Sequence, residues 1–272
     1  MKLIIKILKY CVARFLPRKD FKSSGGFKGV YFCWEDASRQ CGGYNEKVFF
    51  ERLIESTRSV VNGESIYERD TVLFDRINYD WPLLACLMKV AIDNQSLNVI
   101  DFGGALGSTY RQNFRFLNNL PNGIKWNVVE QEELVCTGEK EFKTKKLRFF
   151  NTITKASCRQ VDVIIFACSL SYLPDPYRYL EEAEQANSRY LIYDRLPITE
   201  NDEDYITIQS VSPSIYKASY PMWIFSRSKL NAALEKKWCK IESWDAKFQP
   251  RLNDVVWEGA FYQRANDINI QS

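Results

Sequence analysis

No histidine occurs among the 272 residues. The side chain that titrates closest to neutral pH is missing, and with it every Ser-His or Cys-His nucleophile arrangement. Eight cysteines are present, but no two are spaced as Cys-x-x-Cys. Zinc sites need clustered Cys or Cys with His, so no metal is expected, and the thiols fit a reducing, cytoplasmic setting. No apolar run approaches the roughly 20 nearly uncharged residues of a transmembrane helix. An uninterrupted apolar h-region with a small-residue cleavage site is lacking too, so no secretory signal is read.

Charge is uneven. The net charge is +3, yet residues 1–28 hold eight Lys or Arg against the single acid Asp20, which leaves residues 29–272 at −4. No basic face for nucleic acid is evident in that main body. Residues 1–16 set Lys2, Lys6, Lys9 and Arg14 among apolar neighbours. This pattern fits a basic amphipathic helix lying on an anionic membrane surface, in residues 1–19, and fits equally a helix packed on the protein itself. Pro17, Ser23, Ser24, Gly25, Gly26 and Gly29 then read as a linker. The chain divides into this N-terminal segment, 1–29, and a main domain, 30–272.

The main domain begins with a helical cap, 30–95. Helices are expected over Asn45–Val61 and from Asp80, a cap candidate followed by Pro82 in the first turn. From residue 98 strands and helices alternate. Strands are expected at Asn98–Asp101, Trp126–Glu130, Leu147–Phe150, Asp162–Cys168 and Tyr190–Asp194. Helices are expected at Thr109–Leu120, Glu132–Phe142, from Asp175–Pro176, and at Ser228–Trp238. The continuous apolar run Val163–Ala167 suits a parallel strand buried on both faces. Lys240–Asp245 and Val255–Tyr262 have no clear helix between them and should pair as an antiparallel hairpin. The fold class is therefore α/β, a doubly wound, Rossmann-like, mostly parallel sheet with an antiparallel C-terminal hairpin, occupying 96–264.

The chemistry-bearing stretch is Asp101-Phe-Gly103-Gly104-Ala-Leu-Gly107, where a short apolar strand ends in an acid and a glycine turn. Glycine permits sharp turning and close approach to a ligand. The spacing is not the Gly-x-Gly-x-x-Gly of dinucleotide binders. It resembles the first motif of class I S-adenosylmethionine (SAM) methyltransferases. Glu130 ends the next strand, 23 residues after Gly107. An acid about that far past a glycine turn accepts hydrogen bonds from ribose hydroxyls in nucleotide-binding α/β folds.

Further stretches carry a wider resemblance: Glu68–Asp75, Tyr79–Ala85, Val128–Gln131, Tyr172–Tyr177, Leu191–Arg195 and Pro213–Ser226. Together with the glycine turn they resemble a bacterial family of SAM-dependent methyltransferases found among surface-polysaccharide and lipopolysaccharide genes. The resemblance covers residues 30–262. It implies SAM as cofactor, framed by Asp101, Gly103, Gly104 and Gly107, with Glu130 on the ribose and Asn151 beside the adenine, where Asp is more usual. Ser169–Tyr172 would face the sulfonium. A small or glycan-linked acceptor is implied.

Segment 205–226 is read as a substrate-side insertion. Tyr216, Tyr220 and Trp223 lie among hydroxyl and amide side chains, which suits a sugar and equally a structural loop with its own small core. Asp194 and Arg195 end a strand at the carboxyl edge, where such sheets bind ligands. With no histidine, Asp194 or a tyrosine such as Tyr172 is left as general base, and Arg195 could hold an anion. A structural ion pair between Asp194 and Arg195 is the competing reading. Two other functions compete as well. A nicotinamide-dependent oxidoreductase lacks its Gly-x-Gly-x-x-Gly here. A catalytically inactive membrane-peripheral scaffold would bind no cofactor. A kinase reading of Asp101-Phe-Gly103 fails for want of a His-Arg-Asp loop.

Overall fold

The computed structural model describes residues 26–42, 46–157, 160–211, 218–246 and 251–270. Strand β1 (Gly26–Tyr31) precedes helices α1 (Trp34–Arg39) and α2 (Glu46–Val61). The hairpin β2 (Tyr67–Arg69) and β3 (Val72–Phe74) follows, then helix α3 (Trp81–Asn94). Next come β4 (Leu97–Phe102), α4 (Ser108–Leu117), β5 (Ile124–Val129), α5 (Glu132–Thr137), β6 (Leu147–Phe150) and α6 (Ile153–Ala156). β7 (Val163–Ala167), α7 (Pro176–Gln185), β8 (Tyr190–Thr199), β9 (Tyr205–Ser210) and β10 (Ser219–Ser226) continue the chain. Helix α8 (Arg227–Leu234), β11 (Trp238–Asp245) and β12 (Val255–Arg264) complete it.

Strands β6, β5, β4, β7 and β8 lie side by side in that order, all parallel. The expected closing hairpin is present: β12 runs antiparallel to β8, and β11 antiparallel to β12. Apolar side chains fill both faces of this sheet. Leu83, Leu87, Tyr110 and Leu117 from α3 and α4 meet Val99, Trp126 and Ile165 on one side. Leu180, Leu230 and Leu234 from α7 and α8 meet Ile100, Ile164 and Phe166 on the other. Burial on both faces is why β7 reads as an unbroken apolar run. The α3 cap is as expected, with the Asp80 side chain accepting from the Leu83 N–H and Pro82 in the first turn. No helix of the described residues is long and apolar enough to cross a membrane.

Four expectations are corrected. The linker ends earlier than Gly29, because Gly26–Tyr31 pairs antiparallel with β9 at the sheet edge. The 30–95 segment is not only helical. Asp70 and Thr71 both take positive φ, which gives the twist that closes a two-residue hairpin between β2 and β3. The helix from Glu132 changes to a π turn at Gly138–Phe142. The strand from Tyr190 does not stop at Asp194 but runs on to Thr199.

That extra length shapes the molecule. Along one edge, β8 pairs with β7 from Tyr190 to Asp194, then with β10 at Ile198 and Thr199. β10 pairs antiparallel with β9, and β9 with β1. Segment 205–226 is therefore largely sheet, not a loop. The edge of β8 changes partner just past Asp194–Arg195, at the carboxyl ends of the parallel strands, where open α/β sheets place their ligands.

Candidate active site

The site starts at the end of β4. Asp101 is fully buried; its Oδ2 accepts the Trp126 indole N–H at 3.0 Å, and its Oδ1 has no partner. Burial pushes its carboxyl up to about 7, the Trp126 bond opposing and the nearby Glu130 charge adding. A Cβ on Gly104 would lie 2.5 Å from the Asp101 carboxyl carbon. Gly103 has φ +71°, and a Cβ there would lie 2.7 Å from that of Ser169. These two glycines also answer to protein neighbours, Asp101 and Ser169 just past β7.

Glu130, just past β5, grips the same turn. Its Oε1 accepts the Ala105 N–H at 3.1 Å and its Oε2 the Gln131 N–H at 3.0 Å. Ala105 is held at φ +51°, a conformation side chains disfavour. The Glu130 bond helps fix that backbone. A carboxylate has about four acceptor positions, so two remain for further donors. Burial raises the Glu130 pKa, with the two backbone bonds opposing. Asn151 is exposed at the end of β6 and donates to Glu132 Oε2 at 2.6 Å. It stands beside Glu130 across the strand ends, through the Glu130 N–H to Phe150 O bond of 2.9 Å.

Where β8 changes partner, two of its residues face one of β12. Tyr193 pairs with Ala260 and Leu196 with Glu258, leaving Asp194 and Arg195 opposite Gly259. This is a β-bulge, a device that re-aims side chains next to sites. Arg195 takes φ +56°, and its Nε lies 3.0 Å from Asp194 Oδ2, at ion-pair distance without hydrogen-bond alignment. Asp194 Oδ1 accepts the Trp244 indole N–H at 3.2 Å. Burial pushes Asp194 up to about 6; Arg195 pulls it back and Asp80 pushes further. For Arg195, burial works against the charge, but Asp194, Cys168, Asp70 and Asp80 more than offset it and hold the guanidinium charged.

Tyr172 follows β7. Its hydroxyl donates to Gln209 Oε1 at 2.8 Å, and its ring meets Tyr220 edge-on at 5.3 Å. Burial drives its phenol well above the ordinary tyrosine range. The Tyr172 hydroxyl is thereby held as a donor to Gln209. Ser169, three residues earlier, has a buried hydroxyl with no partner.

Tyr220 and Trp223 do not act together. Strand side chains alternate in face, and three positions separate these two on β10. Tyr220 pairs with Gln209 across to β9, on the Tyr172 side. Trp223 lies on the other face, stacked with Trp34 at 6.4 Å, its indole N–H bound to the Leu173 carbonyl at 3.0 Å. Its ring and its indole N–H are thus both engaged by the protein itself. Tyr216 lies outside the described residues, as does segment 1–19.

Several residues were missed. Glu68 in β2 is buried and bonds the Ser108 hydroxyl at the start of α4. Asp70, at the hairpin tip, acts by charge on Arg195, Cys168 and Tyr172. Asp80, Gln209 and Trp244 complete the surroundings. The stretch Glu68-Arg-Asp70 carried part of the family resemblance, but nothing in a lone acid at a turn distinguishes burial from solvation.

No family model and no curated protein sequence matches the chain. Solved structures give partial likeness. The N-terminal domain of EvdMO1, determined with S-adenosylhomocysteine (SAH) and D-fucose, is 14% identical. The match covers 82% of this chain and 98% of that one, with a TM-score of 0.49. Magnesium protoporphyrin IX methyltransferase from Synechocystis PCC 6803, with bound SAM, is 12% identical over 68% of this chain and 77% of that one, at a TM-score of 0.44. N-methyltransferase NodS from Bradyrhizobium japonicum WM9, in complex with SAH, is 11% identical over 70% and 90%, at 0.43.

Proposed function

We propose that this protein is a SAM-dependent methyltransferase acting on a small or glycan-linked acceptor, as in surface-polysaccharide synthesis. The observation that carries the reading is the clasp at the glycine turn. Glu130 bonds the Ala105 N–H from the end of the next strand, while Asp101 Oδ1 and the Ser169 hydroxyl stay buried without partners. Buried polar atoms are nearly always satisfied, so orphaned ones at a strand edge point to a ligand. The acids fit a cationic nucleoside: Glu130 for the ribose hydroxyls, Asn151 for the base, and Asp101 with the Gly103–Gly104 backbone for the methionine end.

When bound, SAM supplies an activated methyl group. The chain's own residues then do the rest. Tyr172, Gln209 and Tyr220 line the acceptor side and orient a polar group. Asp194 takes the acceptor proton, and the adjacent Arg195 balances its charge. Segment 1–19 brings the enzyme to an anionic membrane surface at the cytoplasmic face. Calorimetric titration with SAH tests the reading, since both a scaffold without cofactor and a nicotinamide enzyme would give no heat.

A further inference from the structure

The buried acid Glu68 has no role in the scheme above. It is 1% exposed. One oxygen, Oε1, takes the Ser108 hydroxyl; the other, Oε2, is buried without a partner. Arg111, a turn further along α4, is close enough to act on it by charge, but gives its own Nη1 to the Leu106 carbonyl at 2.5 Å. Burial pushes the Glu68 carboxyl up to about 7, which Ser108, Arg111 and Arg69 only partly oppose and Asp70 reinforces.

Its position is specific. Ser108 directly follows Gly107, so Glu68 is fastened to the first residue of α4, next to the glycine turn. Two residues on, Asp70 reaches by charge to Arg195, Cys168 and Tyr172. The β2–β3 hairpin thus spans from the turn to the Asp194–Arg195 end, and Glu68 stands at the turn side of that span. Asp101 Oδ1 is the second orphaned carboxylate oxygen at the same turn. Two buried carboxylate oxygens without partners around one loop leave acceptors open to a donor.

We infer that Glu68 receives the α-ammonium of the cofactor's methionine end, an assignment that rests on the SAM reading above. An ammonium brings three donors, and a donor is what the unpartnered Oε2 of Glu68 lacks. The hairpin then acts as a recognition element for the amino-acid end of the cofactor, contributed from outside the alternating core.

The test uses the full chain, three ligands and calorimetry. SAH carries the amino acid, 5′-methylthioadenosine lacks it, and deaminated SAH lacks only the amino group. In Glu68→Gln the amide oxygen still accepts the Ser108 hydroxyl, so the fold has its contact and the charge is gone; a thermal melt checks this. SAH affinity should fall about tenfold or more, the range for a hydrogen bond to a charged group, and 5′-methylthioadenosine affinity should not change. Wild-type protein should lose as much on going from SAH to deaminated SAH, a comparison needing no variant. Undiminished SAH binding by Glu68→Gln, equal loss for both ligands, or wild-type binding of deaminated SAH as tight as of SAH would each overturn the assignment. Wild-type protein that binds none of the three removes the cofactor reading itself, and this inference with it.

Discussion

Gly259 of β12 stands directly opposite Trp244 of β11, in space where a Cβ would run into the indole ring. The missing side chain lets the ring lie across β12, and from there its N–H reaches Asp194 Oδ1 at 3.2 Å. Gly259 is also the single residue facing the Asp194–Arg195 bulge. One glycine therefore both faces the bulge of β8 and leaves room for the ring that bonds its acid.

Gly259→Ala is expected to displace Trp244 and break its bond to Asp194. Overpacking of this kind costs about 1–3 kcal/mol. Urea unfolding followed by tryptophan fluorescence reads the loss. Wild-type stability with an unchanged emission spectrum would show that the ring moves aside freely.

Asp101 predicts an unusual pH dependence. Its carboxyl is pushed from 3.8 to about 7 in the folded protein. Between those values the folded state keeps a proton that the unfolded state has lost, so this group's contribution to stability falls as pH rises through that window. Asp101→Asn retains an acceptor for Trp126 and does not titrate. The ligand-free variant should gain on the wild type as pH rises from about 5 to 8, by on the order of 3 kcal/mol. Stability curves that run parallel over that range would contradict the burial account of Asp101.

The two aromatic residues of β10 should behave differently. Trp223→Ala removes a ring stacked on Trp34 and hydrogen-bonded to Leu173. It should cost about 3 kcal/mol of stability. Tyr220→Phe keeps the ring that meets Tyr172 and should shift stability by less than about 1 kcal/mol. Chemical denaturation of both variants separates them. The reverse order would place Trp223, not Tyr220, at the open face.

The alternating core was legible because its signals are local. Val163–Ala167 is apolar throughout, Asp80 and Pro82 mark a helix start, and the Asp101–Gly107 turn with Glu130 at the next strand end has a characteristic spacing. Long-range pairing was not legible. Tyr190–Thr199 reads as a strand only to Asp194, because the bulge resets the alternation and Pro197 suggests a stop. Ser219–Ser226 reads only as part of an insertion, Pro221 lying within it, although β10 keeps its register with β9. Glu68 was not legible as a buried acid because its hydrogen-bond partner, Ser108, lies 40 positions away.

Residues 1–19 carry a separate prediction. Each basic residue near an anionic surface contributes on the order of 1 kcal/mol, and the attraction weakens with salt. Full-length protein should co-sediment with anionic liposomes at low salt, and protein lacking residues 1–19 should not. Equal sedimentation of the two would refute the membrane role, while SAH binding should be unaffected by the deletion.

Glu130, clasped to the glycine turn, is the residue proposed to hold SAM, and calorimetric titration of wild-type protein and Glu130→Ala with SAH decides whether it does. Saturable binding is expected for the wild type. In the variant it should weaken by about 1.5–3 kcal/mol, the range for hydrogen bonds to a charged group. No binding by the wild type, or equal affinity in a folded Glu130→Ala protein, would contradict it.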